Sequence, residues 1–233
     1  MATNYNPRII TDGLVLALDA GNTKSYVGIG STWIDRSGLG NTGTLTNGPT
    51  YSSANGGSIV FDGISGTGGD FILLSNMIIQ SGDFSCEVWF NQTSTTPSAV
   101  ANQRCLIGGS NNTTGADNCQ FLIGDDGSIA LALNNAAVTL SPSTTGLISL
   151  NTWNQIIWTR SGTGITAYLN GVSRCTGTSS AAVRVDRIAQ VGSTGGFAKN
   201  LPGNISNVKI YSKALTAAEI QQNFNALRGR FGI

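Results

Sequence analysis

Apolar residues in this chain come in short bursts, each closed off by Gly, Asn, Asp or Ser. The bursts predict strands over 14–19, 58–62, 71–74, 84–91, 104–108, 119–123, 129–134, 137–140, 154–160, 165–170, 184–191 and 203–211. Short strands between turn-forming clusters indicate a sandwich or jelly roll rather than βαβ units. Two turns are specific. Asp125-Asp126-Gly127 separates FLIG from SIALAL, and Asn170-Gly171 follows ITAYL; Asp-Gly and Asn-Gly pairs accept the positive φ of tight hairpins. One helix is predicted, over about 216–228. Thr216 and Glu219 have capping-box spacing, and Ile220, Phe224 and Leu227 then form one apolar stripe. The tail RGRFGI either ends that helix or serves as a docking peptide. No repeat or interdomain linker is visible, so 12–233 is expected to form one domain behind an N-terminal arm, 1–11. The arm carries Tyr5, Pro7, Ile9 and Ile10. Pro7 holds it extended, and these four residues are the expected docking contacts with a neighbouring subunit.

Composition narrows the chemistry. Charged residues make up 11% of the chain, less than half the roughly 25% of an ordinary soluble domain. A length of 233 residues is ordinary for one all-β domain and long enough to bury a core without a disulfide or metal. There is no His, which excludes Ser-His-Asp and Cys-His nucleophilic systems and zinc sites built on imidazole. A net charge of +1 leaves no electrostatic footprint for nucleic acid. Arg184 and Arg187, close to Asp186, read as a solvated strand face. No apolar run approaches the ~18 residues of a membrane span, and the start has no secretory pattern; a soluble protein made in a cytoplasm, without membrane insertion, is expected. Cys86, Cys105, Cys119 and Cys175 have no C-x-x-C spacing and read as free, buried thiols. Cys105 with Cys119 is the pair to test for a bridge.

Three blocks together resemble a known family. The opening TDGLVLALDAGNTKSYVGIGSTWIDRSGLGNTGTLTNGPTYSSANGGSIVFDG, the pair FSCEVWF and TWNQIIWTRSGTGITAYLNGV, and the ending GNISNVKIYSKALTAAEIQQNFNALRGRFGI are similar to laminin-G-like domains of the concanavalin A-like lectin/glucanase superfamily. The matching positions include Trp153, Thr159, Arg160, Tyr168, Asn170 and Gly171. The resemblance implies an all-β, concanavalin A-like jelly-roll sandwich of two antiparallel sheets with one short C-terminal α-helix. The opening block is especially similar to such domains in structural proteins of marine and cyanobacterial bacteriophage. It implies a virion protein made in the host cytoplasm and exposed on the particle surface, most simply as a capsid decoration or head-attached protein. Its partners would be phage capsid or tail proteins and host surface polysaccharide, bound weakly; a tail-associated adhesin is the alternative. Self-association into a homo-oligomer is left open.

The fold hosts hydrolases and lectins alike, so activity has to be argued from residues. The glucanase branch carries its acids in an E-x-D-x-x-E pattern, whereas this chain has only Glu87 and Glu219. Glu87 has no acid two or five positions on, and Glu219 belongs to the cap. A non-enzymatic protein is expected, with no cofactor. Loop oxygens suit Ca2+, and Asp117, Asp125 and Asp126 are the candidate ligands, although short Asx turns are the plainer reading. Asn112, Asn118 and Phe197 are the candidate sugar contacts. Tyr26, Trp33 and Tyr51 are further aromatics that could stack on a ring, with core burial the stronger expectation for each.

Overall fold

A computed structural model describes residues 8–66, 68–76, 82–96, 102–109, 119–134, 136–142, 145–181, 188–194 and 199–233. In chain order the strands are β1 (Leu14–Asp19), β2 (Thr32–Trp33), β3 (Gly43–Thr46), β4 (Thr50–Ser52), β5 (Ser58–Asp62), β6 (Phe71–Leu74), β7 (Phe84–Gln92) and β8 (Gln103–Gly109). Then follow β9 (Cys119–Gly124), β10 (Ile129–Leu133), β11 (Ala136–Ala137), β12 (Asn154–Ser161), β13 (Gly164–Leu169), β14 (Val172–Thr178), β15 (Ile188–Val191) and β16 (Pro202–Tyr211). One helix, α1 (Ala217–Phe231), closes the chain.

Every pairing is antiparallel, and the strands sort into two sheets. The first runs β14-β13-β12-β7-β16-β5-β4, with β1 paired to β16 alongside β5; the second runs β11-β10-β9-β8-β15-β6-β3-β2. The expected two-sheet sandwich with one C-terminal helix is what the chain forms. The core lies between the sheets. Phe84, Cys86, Val88 and Phe90 of β7 point inward beside Ile156 and Trp158 of β12. They meet Phe121, Ile123, Leu131 and Ile107 from the facing sheet, with Phe121 set edge-on to Phe84 at 5.7 Å. Burying this much apolar surface, at about 25 cal/mol per Å², is the main force holding the layers together.

The opening block is woven into both layers. β1 and β5 pair with β16, while β3 pairs with β6. Asn170 (φ 52°) and Gly171 (φ 77°) make the two-residue turn joining Leu169 to Val172, as the Asn-Gly pair predicts.

Beneath α1 the outer face of the first sheet is as dry as its inner face. Glu87 and Trp89 alternate with the core residues of β7, yet both are fully buried, because α1 lies over them. Trp89 stacks on Phe231 at 4.4 Å and on Phe224 at 5.8 Å, and Trp153 packs on Phe231 at 4.6 Å. This explains why FSCEVWF reads as a continuous run rather than an alternation. The capping box forms as expected: Glu219 N–H donates to Thr216 Oγ1 at 3.3 Å, and Thr216 N–H to Glu219 Oε2 at 2.8 Å. The helix runs past 228, and RGRF is its last turn, docked on the chain's own sheet through Phe231.

Four strands were missing from the pattern. β2, β3, β4 and β14 are short or edge strands, and β14 buries only Cys175. The 137–140 burst contributes only its first residue, to β11, and of the 184–191 burst the described part is β15.

Candidate functional site

With α1 over the first sheet, the outer face of the second sheet is the one that no helix covers among the described residues. Strand register lines up its residues across all eight strands. Ala137, Ala132, Gln120, Gly108, Gln190, Leu73, Thr44 and Thr32 lie opposite one another in one row, pointing away from the core.

At one end of this face lies a groove of about 450 Å³. Ala130, Ala132 and Leu122 form its floor, and Gln103, Gln120 and Lys199 its polar wall. Gln103 and Gln120 come from neighbouring strands β8 and β9. Lys199 arrives on the loop between β15 and β16. Cys105 N–H donates to Lys199 O at 2.7 Å, and Leu201 N–H to Gly192 O at 2.9 Å, which folds the loop back against β8. Gly108 permits that passage: a Cβ there would lie 3.0 Å from Ser193 O and 2.8 Å from Cys105 Sγ. Asn200 holds the loop from below, accepting from Ser193 Oγ at 2.6 Å and donating to Ile64 O at 2.5 Å.

Lys199 Nζ donates to Gln103 Oε1 at 2.8 Å and to Gln120 Oε1 at 3.1 Å. Its side chain is half-buried, and this desolvation lowers its pKa below the ordinary lysine value. Each carbonyl oxygen thereby accepts from Lys199, and neither NH2 group has a hydrogen-bond partner among the described residues. A wall of amides and an ammonium above a small apolar floor can bind a polar ligand that has one apolar face.

Asp125 and Asp126, singled out in the sequence, are used elsewhere. Asp125 is an ion-pair partner: its Oδ1 accepts from Arg104 Nε at 2.8 Å and its Oδ2 from Arg104 Nη2 at 3.1 Å. Gln92 also donates to Oδ1, at 3.1 Å. Asp126 Oδ1 accepts from Ser128 N–H at 3.0 Å, the local Asx turn that was the plainer reading. No group of three or more Cys, Asp and Glu side chains gathers for a metal among the described residues. Asp117, Asn112, Asn118 and Phe197 lie outside the described residues, as do Tyr5, Pro7, Arg184, Asp186 and Arg187.

Of the docking residues, Ile10 is used within the chain. Its N–H donates to Asn223 Oδ1 at 2.8 Å and its carbonyl accepts from Tyr211 Oη at 3.2 Å, while its side chain packs against the cluster of Ile157, Tyr211, Leu215 and Ile220. The arm therefore docks at Ile10 on the chain's own helix and sheet; the neighbouring Ile9 is half-buried. Tyr26 and Trp33 are buried and Tyr51 is half-buried beside Tyr26, their rings 5.5 Å apart. Tyr26 and Trp33 belong to the core, and Tyr51 packs against it.

Comparison with known proteins agrees with this architecture. A family model described as Laminin_G_3, Concanavalin A-like lectin/glucanases superfamily, matches residues 65–221. Curated protein sequences gave no significant match. Among solved structures, the chain is similar to domain 4 of AbnA, a GH43 extracellular arabinanase from Geobacillus stearothermophilus, determined in complex with arabinotriose. That alignment has a TM-score of 0.65 at 17% identity and covers 90% of this chain and 97% of that one. It is also similar to the botulinum neurotoxin type G receptor binding domain (TM-score 0.61, 16% identity, 91% of this chain and 51% of that one). A botulinum neurotoxin type C structure, whose cell entry depends on two ganglioside molecules, gives a TM-score of 0.63 at 15% identity, over 94% of this chain and 52% of that one. The chain thus spans about half the length of the neurotoxin domains. At these identities the likeness is one of fold.

Proposed function

The chain belongs to the Laminin_G_3 family of the concanavalin A-like lectin/glucanases superfamily, and from that premise we propose that it is a non-enzymatic carbohydrate-binding sandwich carried on a bacteriophage particle. The observation that carries the binding role is the groove on the uncovered sheet face. Sugar hydroxyls pair with amides and ammonium groups, and the C–H face of a ring suits a shallow apolar floor. Gln103, Gln120 and Lys199 supply the first; Leu122, Ala130 and Ala132 supply the second. The fold neighbour bound to arabinotriose supports the same class of ligand.

The non-enzymatic part is supported by how the two glutamates are used. A glycosidase needs two carboxyl groups about 5–9.5 Å apart across the scissile bond. Glu87 is sealed beneath α1 in an ion pair with Lys209, and Glu219 is bonded to Thr216 and Lys213. Neither borders the groove.

Placement on the virion rests on the resemblance of the opening block to phage structural proteins. There the chain decorates the head and touches host polysaccharide weakly, many copies supplying avidity; residues 1–11 face the capsid proteins as far as Ile10 leaves them free. Two measurements test the proposal. A glycan array probed with the purified chain gives retained spots, and Gln103→Ala/Gln120→Ala removes most of that signal; an array blank at every saccharide overturns the binding role. Immunogold labelling of purified virions puts label over the head. Label at the tail moves the chain to the adhesin role, and unlabelled virions overturn the particle placement.

A further inference from the structure

Lys199 is held differently from the ion-paired cations; it shares with buried Arg160, which bonds to the Gly162 and Ser179 carbonyls, the lack of a carboxylate partner among the described residues. Arg104 is paired with Asp125, Lys209 with Glu87 and Arg230 with Asp19. Lys199 is half-buried and has no carboxylate partner among the described residues; its partners are the neutral oxygens of Gln103 and Gln120. A partly desolvated cation with no counter-charge costs free energy that a nearby anion would offset.

The hydrogen-bonding balance points the same way. Gln103 and Gln120 each spend their side-chain oxygen on Lys199. Their NH2 groups, and the third N–H of Lys199, make no hydrogen bond within the described residues. The wall of the groove therefore presents mainly donors and a positive charge, with one lone pair of each amide oxygen already used. Hydroxyl groups both donate and accept, so a neutral sugar uses this wall only in part. A carboxylate or sulfate accepts only, and charge-assisted bonds to it are roughly twice as strong as neutral ones.

We propose that the Gln103–Gln120–Lys199 wall is a subsite for an acidic saccharide unit, one carrying a carboxylate or a sulfate ester, with the anionic oxygens seated among these donors. The inference rests on the carbohydrate-binding reading and names the class of sugar. Lys199 supplies the charge; Gln103 and Gln120 hold its ammonium in place and add neutral N–H donors on either side.

Isothermal titration of the whole chain with trigalacturonate, a sulfated galactotriose and neutral galactotriose tests it. At least one acidic trisaccharide is expected to bind about tenfold more tightly than the neutral one, the equivalent of one charge-assisted hydrogen bond. Lys199→Met should bring the acidic ligand down to the neutral level, and Lys199→Arg should keep most of the preference. Gln120→Glu, which sets a carboxylate beside Lys199, should weaken acidic binding and spare neutral binding; thermal unfolding of each variant shows that it is folded. Equal affinity for neutral and acidic ligands, or a preference that survives Lys199→Met, overturns the inference while the carbohydrate role stands. Failure of all three ligands and of the glycan array together removes both.

Discussion

Glu87 shows how far one side chain can be committed to holding a fold. It is fully buried, and Oε1 accepts from Lys209 Nζ at 2.9 Å, Gln155 Nε2 at 3.0 Å and Trp89 Nε1 at 3.2 Å. Its Oε2 accepts from Asn223 Nδ2 at 2.8 Å, and Asn223 in turn receives the backbone N–H of Ile10. Sheet, helix and arm thus meet on one carboxylate. Removing a single partner from a buried ion pair is expensive because the charge left behind cannot reach water. Lys209→Met is therefore expected to lose about 3–5 kcal/mol in urea unfolding. The double variant Glu87→Gln/Lys209→Met, which removes both charges, should recover much of that loss. A double variant no more stable than the single one would show that packing, and not charge, carries the effect. In the sequence Glu87 was legible only by exclusion, as an acid without the second carboxylate that hydrolysis requires. Its partners at positions 155, 209 and 223 come from three other elements, and no local pattern links them.

Among the elements, α1 does most to decide which face of the molecule is free. Its cap was readable from Thr216 and Glu219, because a capping box is a local device three residues long. Its last turn was not, because RGRFGI looks basic and Gly-interrupted until Phe231 is seen against Trp89 and Trp153. The same contrast runs through the strands. Central strands such as β7 and β12 announce themselves by apolar density, while edge strands such as β14 have little to bury and read as loop. The groove lies further still beyond local pattern. Gln103 and Gln120 meet through strand pairing and Lys199 through a loop that returns to β8, so the sequence directed attention to Asp125 and Asp126 instead. Packing should outweigh capping in holding α1 down. Phe231→Ala is expected to cost about 3 kcal/mol, against about 1 kcal/mol for Thr216→Ala, both measured by denaturant midpoint. If the two losses are equal, the aromatic stack with Trp89 is not what anchors the helix.

For the whole molecule, the thiols report how tightly the layers stay closed. Cys86 faces inward from the first sheet, Cys105 and Cys119 belong to the second, and Cys175 sits on edge strand β14; all four are free and buried. Burial raises the pKa of each above the ordinary thiol value, with Cys86, Cys105 and Cys119 pushed up far. Because only the thiolate attacks, a closed sandwich should be inert to Ellman's reagent at neutral pH, and reductant should leave its melting temperature unchanged. Guanidinium should release all four thiols at once. Between these limits, the order of reaction follows local opening, which is easiest where few neighbours hold a strand. β14 pairs with β13 on one side and is held on the other by the single bridge between Ser141 and Thr176, whereas β7 lies between β12 and β16. In mild urea Cys175 should therefore react first and Cys86 only with global unfolding, as mass spectrometry of the labelled peptides would show. Early labelling of Cys86 would mean that the sheets part at their centre, and that the core between β7 and β9 is looser than its burial implies.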